Sequence, residues 1–268
     1  MTTPLPEFES PPVDEVALGV DFLPLPNWKV PYSGLFWETI RDRYPSCDVQ
    51  PTIFNPPEQF GVIPPEIAVR FYHDPNAVRC WFLDDTGNHL VQLQPDKFLR
   101  NWRRLTGNEP YPRYSTLRPA FEADWNLFGD FLRAQHLESP QAVQCEVTYI
   151  NNIERGAGWE SFADLSSVTP LWAGTTSGGF LDAPESIGLN LAFPMEEQMG
   201  RLRVSIDHAF RVRDGKEILR LQLVARGKPI SSSTADILAW LNVGHEWVVR
   251  AFADITTSKM HALWGRKQ

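Results

Sequence analysis

The chain contains two stretches that resemble each other and lie about 130 residues apart. Residues 81–94 and residues 210–222 both read as a strand, a polar turn and a returning strand. A second match lies upstream of each hairpin, where residues 15–20 and residues 146–151 both read as a strand. A repeat of this length strongly constrains the fold. We therefore expect two similar units in the chain.

Each unit is expected to have the element order β-α-β-β-β-α. A short polar link at residues 136–140 separates them, so we place one α+β unit at residues 1–138 and a second at residues 139–268. In a layered fold of this order, the last helix covers the apolar face of an antiparallel meander. We therefore predict an antiparallel sheet covered by long helices. By element order alone, such duplicated units resemble the saddle of the TATA-binding-protein fold and also the helix-grip ligand-binding folds.

Apolar periodicity and capping residues predict the helices. Ser33 is the expected N-cap of the first helix, and the second carries an apolar stripe with spacings of 4, 3 and 4 over residues 121–132. The predicted helical segments are residues 33–44, 116–135, 159–171, 234–255 and 257–264.

The other apolar runs predict strands. The return strand of the first hairpin is expected to continue toward Trp102, and the Pro-rich residues 45–66 predict an irregular segment with at most a short edge strand. Residues 174–179 read as a flexible connector or as a backbone cradle for an anion. The predicted strands are residues 15–22, 67–72, 78–83, 89–94, 143–153, 186–193, 201–213 and 217–226.

The composition argues against several classes of protein. A net charge of −8 disfavours general nucleic-acid binding, which usually needs a basic surface. No stretch approaches the ~20 apolar residues of a membrane span, and residues 1–12 lack the apolar core of a signal peptide. We therefore expect a cytoplasmic protein. Its three scattered cysteines fit reduced thiols better than disulfides.

The sequence carries no complete catalytic or cofactor motif. It has no phosphate-binding loop, and the pair Gly156 and Gly158 is followed by Ser161 where the dinucleotide fingerprint needs a third glycine. His245 begins a pattern like that of zinc proteases, but Val249 stands where the second histidine should be. We therefore predict no cofactor and no metal ion.

Two stretches are rich in side chains suited to binding. In the first, Arg100 and Arg103 flank Trp102, and guanidinium groups bind oxyanions and stack on indole rings. The alternative is a solvated strand end with internal salt bridges. The second stretch, in the C-terminal helices, is either a capped helix with a docked tail or an aromatic surface for a partner. The candidate binding residues are Arg100, Trp102, Arg103, Tyr149, Asn151, His245, Arg250, His261 and Trp264.

Residues 93–98, 101–103, 111–114, 144–153 and 260–265, with His245 and Phe252, form a recognisable set of segments. Over nearly the whole chain they resemble a sporadically distributed family of uncharacterised bacterial proteins that has no established activity. The resemblance implies a bacterial cytoplasmic protein with the fold of its relatives. The patchy distribution suggests an accessory role, such as a defence or toxin–antitoxin component.

Three functional hypotheses follow from these observations. We favour a non-catalytic protein-interaction module that binds a protein partner or forms a homodimer, because Trp and Arg are enriched at interface hot spots. The alternative is a small-ligand-binding fold with a cavity between sheet and helix, with or without weak enzymatic activity. A further alternative is nucleic-acid binding by a saddle-like sheet, against which the acidic net charge counts.

Overall fold

A nine-stranded antiparallel sheet is the framework of the part of the chain that the computed structural model describes, which is residues 4–60, 78–172, 180–181 and 184–267. The order across the sheet is β2-β3-β4-β5-β1-β6-β9-β8-β7. The predicted α+β fold with an antiparallel sheet is therefore confirmed. The strands are β1 (Val13–Phe22), β2 (Ser46–Gln50), β3 (Arg79–Leu83), β4 (His89–Gln94), β5 (Lys97–Arg103), β6 (Ala142–Glu154), β7 (Gly188–Pro194), β8 (Arg201–Phe210) and β9 (Glu217–Gly227).

The pair β1 and β6 lies at the centre of this sheet. β1 pairs with β5 on one side and with β6 on the other, so that Val16 faces Tyr149 and Val20 faces Cys145. Strands β1–β5 form the first half of the sheet and β6–β9 form the second half. In both halves the first strand is central and the last strand lies beside it. The sheet is therefore continuous across the predicted boundary between residues 138 and 139.

Four α-helices accompany the sheet in the described residues: α1 (Pro31–Ile40), α2 (Tyr114–Ala134), α3 (Thr234–Asp254) and α4 (Ser258–Leu263). α2 packs on β5, while α3 packs on β6 and β9. The predicted stripe of α2 is buried, and its Phe128 stacks on Phe98 of β5 with ring centroids 5.4 Å apart. Burial of each such side chain contributes about 1.5–3 kcal/mol to the free energy of unfolding. We call this side of the sheet the helix face.

Two helix predictions were wrong in detail. The first helix begins at Pro31 rather than after Ser33, and its N-cap Val30 makes no side-chain capping bond. Proline suits the first helical position because its φ is already close to the helical value. An N–H at this position would have no acceptor within the helix, so proline loses no hydrogen bond by lacking one. The predicted helix at residues 159–171 is only a 3-10 helix, Phe162–Ser167, which Ser161 caps.

The first hairpin does not continue toward Trp102 as one strand. β4 ends at Gln94 and β5 begins at Lys97, because Pro95 cannot donate a ladder hydrogen bond and the chain turns there. Within the described residues, four strands, β2 to β5, therefore follow α1 in the first half. β2 is the short edge strand expected within residues 45–66. The strand predicted at residues 67–72 and the loop at residues 174–179 lie outside the described residues.

The face opposite the helices, which we call the second face, carries buried charges near the centre of the sheet. Lys97 forms an ion pair with Asp21, and Gln144 donates a hydrogen bond of 2.9 Å to the same carboxylate. The guanidinium Nε of Arg226 lies 2.6 Å from a carboxylate oxygen of Glu146. Buried charges are tolerated where each has a partner of opposite sign and further hydrogen bonds. The second face is therefore a polar network rather than an apolar layer.

Residues 51–60, the crossing segment, extend across the second face without regular secondary structure. Arg79 of β3 donates to the carbonyl oxygen of Pro51. Gln94 of β4 bonds the backbone N–H and the carbonyl of Ile53, at 3.0 and 2.9 Å. Side chains of β6 and β8 hold Glu58 at the far end. The segment therefore contacts both halves of the sheet.

Asp124 of α2 joins three elements and provides a test of this packing. Its buried carboxylate accepts hydrogen bonds from Arg43, Tyr44 and Arg100, at 2.6, 2.7 and 2.9 Å. Replacing Asp124 with Ala leaves the Arg100 guanidinium buried without its partner. We expect the free energy of unfolding, measured by urea denaturation, to fall by about 3–5 kcal/mol.

Asp130→Ala is the matched control on the same helix. Asp130 pairs with Arg133, and both side chains are exposed. Its loss is expected to change the free energy of unfolding by less than about 1 kcal/mol. Equal effects of both substitutions would contradict a structural role for the Asp124 cluster.

Candidate functional site

A cavity of about 620 Å³ lies on the helix face, above the centre of the sheet. It is enclosed by the start of α2, one side of α3, strands β1, β6 and β9, and residues 5–11. This volume is within the range of about 300–1,000 Å³ that is usual for small-molecule sites. Its wall is mostly apolar; the apolar residues of the wall include Leu5, Phe8, Val13, Leu223, Val248, Val249 and Phe252.

The regular elements bring the polar residues of the cavity together. Tyr149 and Asn151 alternate with outward residues along β6 and so share the helix face. Asn242, His245 and Val249 are spaced by one turn and two turns along α3, which places them on one side of that helix. The site is therefore built from the central strand of the second half and the helix that covers it.

Three side chains form a hydrogen-bonded chain through the cavity wall. The hydroxyl oxygens of Tyr111 and Tyr149 lie 2.9 Å apart. The Tyr149 hydroxyl also lies 3.1 Å from Nδ1 of His245. Tyr149 is only 4% exposed, so both of its hydroxyl contacts replace contacts with water. These hydrogen bonds connect the segment before α2, through β6, to α3.

A further tyrosine, Tyr114, fixes the orientation of the His245 imidazole. The ring of Tyr114 stacks on that of His245, with centroids 3.8 Å apart and planes 6° from parallel. The Tyr114 hydroxyl donates a hydrogen bond of 3.0 Å to Oδ1 of Asn242. Within the described residues, Nε2 of His245 has no hydrogen bond. Nε2 is therefore the ring nitrogen that is available to a ligand.

The tyrosines and the histidine of this hydrogen-bonded group are uncharged near pH 7. Burial lowers the pKa of His245 to about 4. Burial also raises the pKa of Tyr111 to about 12, and it raises the pKa values of Tyr114 and Tyr149 above the usual value for tyrosine. The imidazole and the hydroxyls therefore act as uncharged donors and acceptors.

Arg113 holds the wall formed by the N-terminal segment. Its guanidinium donates to the carbonyl oxygens of Phe8 and Glu9, both at 2.9 Å, and lies 5.3 Å from the centroid of the Tyr111 ring. Its backbone has φ of +66°, a strained value for a residue with a side chain. The strain at Arg113 is thus located at the edge of the cavity.

Three of the nine predicted binding residues meet in the cavity: Tyr149, Asn151 and His245. Asn151 is 1% exposed, and its amide donates to the carbonyl oxygen of Leu221. Arg250 lies one turn beyond Glu246, which lines the cavity, and the two side chains form an ion pair at 2.8 Å. Their binding roles stay predictions, but the structure places these residues together.

The other C-terminal residues lie outside the cavity wall. His261 is bonded to Thr256 and Arg266, at 2.9 and 3.0 Å. Trp264 is 6% exposed and packs against Phe8 and Phe252. Because these contacts stabilise the chain end, the structure places His261 and Trp264 in a docked tail.

The predicted Arg and Trp surface is not a surface in this structure. Arg100 and Trp102 are 9% and 2% exposed, and Arg100 forms an ion pair with Asp124. Arg103 lies on the second face, 5.1 Å from the centroid of the Trp81 ring. Neighbouring residues of a strand point to opposite faces, so these three side chains cannot form one patch.

Sequence reasoning missed Tyr111, Tyr114 and Asn242 as members of the site. The two tyrosines belong to residues 111–114, which carried the family resemblance but no functional motif. Asn242 stands one turn before His245 on α3, and this helical spacing was the signal that could have placed it.

No family model, no curated protein and no solved structure matches this chain. No helix in the described part of the chain has both the length and the apolar character that a membrane span requires. The same residues contain no group of three or more His, Cys, Asp or Glu side chains placed to hold a metal ion. The function of the cavity therefore has to be inferred from its own side chains.

The lowered pKa of His245 predicts a pH dependence of stability. An unfolded histidine has a pKa of about 6.5, whereas the folded value is about 4. Between these values the unfolded chain binds a proton that the folded protein does not, so His245 makes the free energy of unfolding fall as the pH falls. We expect His245→Gln to remove this contribution in urea denaturation between pH 6.5 and pH 4.

Substitution of the exposed His136 by Asn controls for the loss of a histidine. His136 has φ of +56°, which Asn adopts more readily than most residues. His136→Asn is expected to keep the pH dependence of the wild type. If His245→Gln kept it as well, the imidazole would not be the buried neutral group described above.

Proposed function

We propose that this protein binds an uncharged small molecule with an apolar body and at least one hydrogen-bonding group. The binding site would be the cavity between α2, α3 and the centre of the sheet. The observation that carries the proposal is the chain of Tyr111, Tyr149 and His245 within an apolar wall of suitable volume. Sites of this kind gain affinity from apolar burial and specificity from a few fixed polar groups.

The charges around the cavity support an uncharged ligand. The Arg113 guanidinium bonds two backbone carbonyls, and the Glu246 carboxylate pairs with Arg250. A third charged residue of the wall, Glu7, is exposed to solvent, and the other polar groups of the wall are neutral. A charged ligand buried among these neutral groups would lose its hydration without gaining an ionic partner there. An uncharged ligand with a hydroxyl, carbonyl or amide group would complement the available imidazole nitrogen.

The chemistry of His245 favours binding over acid–base catalysis. An effective general base has a pKa near the working pH, whereas burial lowers that of His245 to about 4. A neutral imidazole with such a pKa still donates or accepts a hydrogen bond. This supports the small-ligand hypothesis over the protein-interaction hypothesis, whose predicted surface residues Arg100 and Trp102 are buried.

The strand order supports a further proposal about the origin of the fold. In both halves the first strand is central, the last strand lies beside it, and a 21-residue helix follows the last strand. We propose that the halves derive from the duplication of one unit, as in the saddle-shaped folds named above. The cavity then lies close to the junction between the two copies. The first copy supplies β1 and the start of α2, and the second supplies β6, β9 and one side of α3.

Ligand-observed fluorine NMR tests the binding proposal with a library of uncharged aromatic fragments and a matched set of charged ones. Val249→Trp places a large ring in the cavity, so we expect fragments that bind the wild type to bind this variant at least tenfold more weakly. Tyr149→Phe removes the hydroxyl contacts with Tyr111 and His245 and so loosens the orientation of the imidazole. It should weaken binding about two- to tenfold, the equivalent of one hydrogen bond of about 0.5–1.5 kcal/mol.

Val212→Trp is the control, because Val212 is fully exposed in the turn after β8. It should leave every affinity unchanged. Fragment binding that survives Val249→Trp, or a preference for charged over neutral fragments, would contradict the proposed site.

A further inference from the structure

The crossing segment is held on the second face in the manner of a bound peptide. It forms no strand or helix, and side chains of the sheet bind its backbone. Gln94 pairs with both the N–H and the carbonyl of Ile53, and Gln144 accepts the N–H of Glu58 at 2.9 Å. Such contacts recognise an extended backbone without requiring particular side chains.

Glu58 supplies the one charged anchor of the crossing segment. Its carboxylate is 4% exposed and accepts bonds of 2.7 and 3.0 Å from Arg203 and a further bond from Arg201. Burial alone would raise the pKa of Glu58, but the hydrogen bonds from Arg203 and Arg201 hold the pKa below its usual value. Two guanidinium groups around one carboxylate form a strong and directional site.

Glu58 balances the positive charge of Arg201 and Arg203. The neighbouring ion pairs join Lys97 to Asp21 and Arg226 to Glu146, so Arg201 and Arg203 are two cations with no other carboxylate partner among the described residues. This excess of positive charge lies in a protein whose net charge is −8. A cavity of about 380 Å³ beside Arg203 and Arg226 leaves room for additional groups.

We propose that the second face binds an extended acidic peptide of a partner protein, which replaces the crossing segment and places a carboxylate between Arg201 and Arg203. The crossing segment occupies this surface in cis and competes with the partner. A peptide fits better than a nucleic acid, because Gln94 and Gln144 bind backbone amide groups that nucleic acids lack.

The test uses a fluorescein-labelled synthetic peptide of residues 51–60 and the full-length protein, with fluorescence polarisation as the readout. In the wild type the tethered copy has a high effective concentration and excludes the peptide. Glu58→Gln weakens the tethered copy, so we expect the peptide to bind this variant at least tenfold more tightly than the wild type. A peptide with Gln in place of Glu58 should bind at least tenfold more weakly than the native peptide.

Glu122→Gln, which alters a partly exposed ion pair with Arg118 on α2, is the matched control and should behave as the wild type. Ile53→Pro releases the segment independently, because proline lacks the N–H that Gln94 accepts. The proposal is overturned if neither variant binds the peptide, or if the Glu and Gln peptides bind equally. Salt-sensitive binding of a short oligonucleotide without binding of the peptide would assign the surface to nucleic acid instead.

Discussion

The pairing of β1 with β6 is the interaction on which the rest of the molecule depends. It joins the two halves of the sheet, and β6 then supplies residues to both candidate sites. Tyr149 and Asn151 of β6 line the cavity on the helix face, while Gln144 and Glu146 of the same strand belong to the polar network of the second face. Because side chains alternate along a strand, a shift of one residue in this register would exchange the two sets. The same pairing therefore fixes the fold and the location of both sites.

The two faces of the sheet are stabilised by different forces. On the helix face, aromatic rings of α2 and β5 pack against one another. The stabilisation from this packing is roughly proportional to the apolar area that it removes from water. On the second face, Lys97 and Arg226 are paired with carboxylates of neighbouring strands, where the cost of desolvating the charges offsets much of the attraction between them. Such a face gains little from burial itself, and its geometry depends on every partner being present. This makes the second face better suited to selective recognition than to general stabilisation.

The parts of the fold that were predictable depend on residues that are close in sequence. The first hairpin, the apolar stripe of α2 and the alternation along β8 follow from local periodicity, and each is present in the structure. The burial of Arg100 was not predictable in this way, because its partner Asp124 lies 24 positions away on another element. The cavity depends on longer separations still, with 38 positions between Tyr111 and Tyr149 and 96 between Tyr149 and His245. No pattern in a single sequence connects residues over such distances, whereas the tertiary fold does.

Both candidate sites are closed by irregular segments rather than by strands or helices, and this bears on how a ligand reaches them. Residues 5–11 are held by backbone hydrogen bonds to residues 264–267 and by the Arg113 side chain, whereas the crossing segment is held by side chains of the sheet. Neither segment belongs to the nine-stranded sheet, so either can detach without breaking the hydrogen-bond ladder of the sheet. Their anchors differ in kind. Phe8 packs edge-on against Phe252 and Trp264, an apolar contact that salt does not weaken. Glu58 is held by Arg201 and Arg203, and Arg203 is half exposed, so ionic strength and competing anions act on that anchor. Release of Phe8 from the cavity wall therefore costs apolar contacts, whereas release of Glu58 from the second face costs ion pairs.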